Sequence, residues 1–113
     1  MNIIQTTQII VCVLTLFTGV LVFIKPSAAF GFTGLRVDGA KGISELRAIF
    51  GGLFIGMGIA PLFLGSSAIQ MLGYCYLSIA ISRVFSIIFD KSYERSNIIS
   101  VFIEVFFGLI LVF

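Results

Sequence analysis

Apolar residues in this chain gather into four runs, each close to the length of a membrane-crossing helix, and short polar breaks set their limits. The first extends from about Gln8 to Ile24 and stops at Lys25-Pro26, where proline lacks a backbone donor and disfavours helix in the residue before it. A polar, Gly-rich connection containing Arg36, Asp38 and Lys41 reaches to about Ser44, and the pattern assigns no conformation to Thr33 through Lys41. The second run is Glu45 to Leu64, with Pro61 in its last turn predicted to kink or end it. Only Gly65-Ser66-Ser67 separates it from the third run, which ends at Asp90-Lys91; a polar turn from Ser92 to Asn97 then introduces the fourth, Ile98 to Phe113. The pattern predicts an all-α integral membrane four-helix bundle with spans at about 8–24, 45–64, 67–89 and 98–113. Sequence neighbours would run antiparallel, up and down, within a single domain over residues 1–113.

Composition narrows the class further. Of 113 residues, 59% are hydrophobic and 11% charged, more apolar surface than a soluble core of this size could absorb. Net charge is only +2 and most of the thirteen Phe lie within apolar runs, not interleaved with a basic patch, so nucleic acid is not an expected partner. The first run lacks the positively charged start of a secretory signal and is expected to remain in the chain. Lys25, Arg36, Lys41, Arg47, Arg83, Lys91 and Arg95 all fall toward one side of a four-span topology. The positive-inside rule therefore places the charged connections in the cytoplasm and both termini on the opposite side, with a bacterial inner membrane as the expected location.

Two charges interrupt the apolar runs. Arg83 in the third and Glu104 in the fourth each lie about ten residues from the centre of the intervening turn, so antiparallel packing brings them to one depth, roughly 9–10 Å inside their spans. A charge there is costly unless it faces protein or water, which makes the pair a candidate site. Glu45 and Arg47 open the second span on the same side, so Glu45, Arg47, Arg83 and Glu104 form a candidate buried polar cluster of zero net charge. Such a cluster serves either as a lock on helix register or as a pocket for a lipid head group, a small anion or a proton. The lock is favoured because no surplus charge remains for a ligand.

Small residues mark the faces where helices approach. Ala48, Gly52, Gly56 and Ala60 recur at intervals of four and form the expected helix-packing face of the second span. Ser78, Ser82 and Ser86 border Arg83, and Ser100, Glu104 and Gly108 repeat the interval in the fourth. Reaction chemistry is scarce by comparison. The chain has no His, and Cys12 and Cys75 lie in apolar runs with no activating base nearby, so they read as small packing groups. No catalytic residue, metal ligand or cofactor is expected, and the chain is not expected to be an enzyme.

The block Glu45-Leu46-Arg47-Ala48-Ile49-Phe50-Gly51-Gly52-Leu53, with Gly56 and Gly58, then Ser82-Arg83-Val84-Phe85-Ser86 ahead of Asp90, and finally Glu104, resembles small bacterial membrane proteins grouped as domain of unknown function 4345. The resemblance runs over nearly the whole chain, departing at Phe50, where Tyr is expected, and at Ser82, where Gly often precedes the Arg. It implies the four-span fold and marks the charged set as characteristic of the group, but brings no activity. The expected function is therefore that of a non-catalytic accessory or scaffold subunit, in contact with membrane lipids and packed laterally against other integral membrane proteins or copies of itself. The alternative is a small-ligand or lipid-binding membrane protein, conceivably an oligomeric transporter, that uses the Arg/Glu cluster.

Overall fold

A computed structural model describes residues 2–113 as helices joined by short connections, with no strand among the described residues. The helices are α1 (Ile3–Ile24), α2 (Ala28–Thr33), α3 (Gly39–Leu46), a π-helical segment (Arg47–Leu53), α4 (Phe54–Leu64), α5 (Ser66–Phe89) and α6 (Arg95–Val112). Since α3, the π segment and α4 are continuous from Gly39 to Leu64, four helices are long and apolar enough to cross a membrane.

All four begin before the apolar runs do, the third by only a serine of its turn. The first starts at Ile3 because Asn2 Oδ1 accepts the Gln5 amide at 2.8 Å while Gln5 Oε1 accepts the Asn2 amide at 3.2 Å, a reciprocal cap that continues the helix beyond its apolar part. In the second, α3 is a charged helical turn ahead of the apolar stretch, and Lys41 and Glu45 pair on its surface at 2.9 Å. In the last, Arg95, Ser96 and Asn97 are helical ahead of Ile98. The second long helix ends at Leu64, with Pro61 buried in its last turn. The four-residue interval could not reveal the π segment, whose wider turns cover much of the block that carried the family resemblance.

The connection after α1 is itself ordered. Pro26 needs no donor at the entrance to α2, and Gly34 closes that helix at φ 75°, its amide bonded to Phe30 O at 3.0 Å. Gly65 alone joins α4 to α5 at φ 84°, a backbone state that a side chain would strain.

The chain divides into two compact units, Ile9–Phe63 and residues 2–8 with Leu64–Phe113. Within the first, α1 packs antiparallel to the second long helix with the backbones in contact at glycine. A Cβ on Gly58 would stand 2.4 Å from Leu16 N and 2.7 Å from Cys12 O, and one on Gly19 would stand 2.6 Å from Ile55 N and 2.7 Å from Gly51 O. One on Gly51 would meet Phe23 Cα at 3.0 Å. Buried Val22, Ala29 and Leu46 hold the connection down, with Phe30, Val37 and Phe50 packed around them.

These contacts leave the expected packing face outside the α1 interface. Ala48, Gly52 and Gly56 are exposed and Ala60 is half-buried; a Cβ on Gly56 would meet nothing within 4 Å. The inward stripe is Gly51 and Gly58, seven residues or about two turns apart, a spacing that marks one helix face as well as intervals of four do.

In the second unit α5 and α6 pack antiparallel. A Cβ on Gly73 would lie 3.0 Å from Gly108 O and 2.9 Å from Leu111 Cβ, and Tyr76 meets Phe107 edge to face with centroids 5.5 Å apart. At the opposite end from the α5–α6 connection, Gln8 Nε2 donates to Ile110 O at 2.9 Å.

Candidate functional site

The α5–α6 pair carries the most developed polar arrangement among the described residues. Arg83 Nε donates to Glu104 Oε1 at 3.0 Å and Nη2 donates to Oε2 at 2.8 Å, a two-pronged contact. Glu104 is buried, with its side chain 12% exposed, and the Arg83 side chain is 30% exposed. Leaving the carboxylate unpaired at that burial would cost several kcal/mol; the fork contact offsets much of it.

Arg83 has a further partner from the start of α6. Its Nη1 donates to Asn97 Oδ1 at 2.9 Å, and Asn97 Nδ2 donates in turn to Ser92 Oγ at 2.6 Å. Ser92 Oγ then donates to Glu94 Oε2 at 2.7 Å. That hydroxyl holds the Glu94 carboxyl below the usual carboxylate range, and the Glu94 backbone amide adds to the effect. A continuous line of hydrogen bonds thus runs from the exposed connection to buried Glu104. Arginine does not release its proton in a protein, so the line cannot conduct one through Arg83. Its effect is mechanical: it ties the end of α5, the connection and the first three turns of α6 into one geometry.

Asn97, Ser92 and Glu94 have no role legible in the sequence, because a polar turn between two apolar runs reads as solvent-facing connection. A usable signal was present. Asn97 precedes Glu104 by seven residues, about two helical turns, and so shares its face once α6 is known to begin before Ile98.

Glu45 and Arg47 lie in the other compact unit and have their own partners. Glu45, expected in a buried cluster, is exposed, and it pairs with Lys41 four residues earlier on the surface of α3. Arg47 donates through Nη1 to Phe23 O and sets its guanidinium 5.7 Å from the centre of the Phe23 ring. The short side chain of Glu45 at the polar start of a helix finds its neighbour one turn away, whereas the longer Arg47 reaches α1.

Beside Arg83 lies an open cleft of about 470 Å³ lined by Ser78, Ile79, Ser82, Arg83, Ser86 and Asn97. Two of its hydroxyls already donate within α5 and its cap: Ser82 Oγ to Ser78 O at 2.9 Å, and Ser86 Oγ to Asp90 Oδ2 at 2.6 Å. The cleft therefore presents hydroxyl acceptors and the guanidinium N–H groups that Glu104 and Asn97 leave over. No group of three or more His, Cys, Asp or Glu residues able to hold a metal ion occurs among the described residues. Cys12 is buried and Cys75 half-buried, and neither is in a disulfide.

A family model described as domain of unknown function (DUF4345) matches residues 3–113. No curated protein and no solved structure matches the chain.

Proposed function

The chain belongs to the DUF4345 family, and because that description carries no activity, we propose from geometry that this is a non-catalytic scaffold or accessory subunit of a membrane protein complex. In this reading the four long helices form a bundle in a bacterial inner membrane and the Arg83–Glu104 network fixes the α5–α6 pair. A neighbouring membrane helix, from another protein or a second copy, packs on the outward stripe of Ala48, Gly52, Gly56 and Ala60. The observation that carries the proposal is that Ala48, Gly52 and Gly56 of this stripe are exposed while the equally small Gly51 and Gly58 are filled by the protein's own α1. Small residues let a second backbone approach closely, and close approach is the main source of helix association where lipid surrounds both partners.

The test separates the two stripes. Gly52→Leu and Gly56→Leu should keep the wild-type thermal stability in detergent while the complex recovered by gentle extraction loses its additional mass. Retention of that complex by both variants would show that the stripe faces lipid only.

The same reading fixes an orientation. With the basic connections cytoplasmic, a cysteine placed beside Lys41 or Arg95 in a Cys-free variant should be labelled from the cytoplasmic side, and one after Phe113 from the other. Labelling of all three from one side would contradict an even number of crossings.

The cleft beside Arg83 favours a second reading, a binding protein for a small ligand or lipid head group. A folded Arg83→Leu/Glu104→Leu protein that has lost a copurifying molecule would support it over the scaffold.

A further inference from the structure

We propose that the segment from Lys25 to Lys41 is an interfacial element that selects anionic phospholipid head groups. The inference rests on the flanking helices crossing a bilayer and is independent of the scaffold reading. Charge singles out this segment. Lys25, Arg36, Lys41 and Arg47 oppose only Asp38 and Glu45, whereas Arg83, Lys91 and Arg95 are matched by Asp90, Glu94 and Glu104, so the whole net charge of the chain lies between residues 25 and 47. Lys41 is neutralised by Glu45, and Arg47 is turned toward Phe23. Lys25 and Arg36 remain exposed and outside any ion pair that the described residues form.

Shape points the same way. The segment has a buried side, on which Ala29 packs with Val22 and Leu46 and is flanked by Phe30 and Val37. On its outer side Phe32 is 52% exposed and Leu35 46% exposed, next to Arg36. The Arg36 guanidinium lies 5.3 Å from the centre of the Phe30 ring while the residue stays exposed. Exposed apolar side chains between cations, at the level where α1 ends and α3 begins, fit the boundary between acyl chains and head groups: Phe32 and Leu35 enter the apolar edge, and Lys25 and Arg36 meet phosphate. A soluble anion would leave the two apolar side chains in water, so a lipid is the occupant that fits both features.

The test measures lipids retained by the purified full-length chain, using native mass spectrometry in detergent with dioleoyl phosphatidylglycerol or dioleoyl phosphatidylcholine added. Wild type should retain the anionic lipid in preference, and raised salt should weaken that preference. The double change Lys25→Gln with Arg36→Gln should reduce it by about fivefold for each cation removed, while Lys91→Gln with Arg95→Gln leaves it unchanged. Equal retention of the two lipids by wild type would overturn the proposal without any variant needing to fold. Equal losses from both double variants would overturn it as well, since they would assign the effect to general charge. Displacement of the anionic lipid by inorganic phosphate alone would overturn it in favour of a soluble anion.

Discussion

Arg83→Leu and Glu104→Leu should each sharply reduce the yield of folded protein, and combining them should restore much of it. Each single change strands a partner: Arg83→Leu leaves the Glu104 carboxylate buried without its two donors, and Glu104→Leu leaves a guanidinium held only by Asn97. Breaking a buried pair from one side costs about 3–5 kcal/mol, comparable with the whole stability of a small domain, whereas replacing both partners by apolar groups is often close to neutral. Arg83→Lys should fall between, since an ammonium cannot reproduce the fork on Glu104 together with the bond to Asn97. The readout is folded fraction and thermal midpoint in one detergent. Single effects that merely add in the double variant would show that the residues are not coupled.

Gly58→Ala should destabilise the protein by about 1–3 kcal/mol, and Gly58→Leu should prevent folding. Even the methyl of alanine would stand 2.4 Å from Leu16 N, against backbone that can yield only if α1 moves away. Gly56→Ala, two residues earlier, meets nothing within 4 Å and should stay within about 0.5 kcal/mol of wild type. Thermal midpoints of the two alanine variants decide the matter. Equal midpoints would contradict the assignment of Gly51 and Gly58 to the inner face.

The two predictions differ in how far the sequence alone could reach them. Arg83 and Glu104 were legible as a pair because charge in an apolar run is costly and symmetric placement about a turn limits the choice of partner. Asn97, Ser92 and Glu94 were not, because their roles depend on α6 starting before the apolar run. The four long helices were legible from apolar length, but the cap at Asn2 and Gln5 and the charged turn of α3 extend two of them beyond it. Which stripe of the second helix meets α1 is not legible from the spacing of small residues. Two sets of small residues overlap there, and only the approach of α1, with Gly19 against Gly51 and Ile55 and with Leu16 against Gly58, distinguishes them. The π segment adds to the difficulty, since its wider turns change the phase of every residue beyond it relative to a regular α-helix.

The scaffold reading makes the charged pair a structural lock and the outward stripe the surface that acts. Its most direct test is the mass of the complex recovered by gentle detergent extraction from cells that carry wild type, the Arg83→Leu/Glu104→Leu double variant or Gly56→Leu. Wild type and the double variant should run in the same larger complex, while Gly56→Leu runs as the isolated, folded chain. A folded double variant that leaves the complex, or a Gly56→Leu protein that stays in it, would contradict the account.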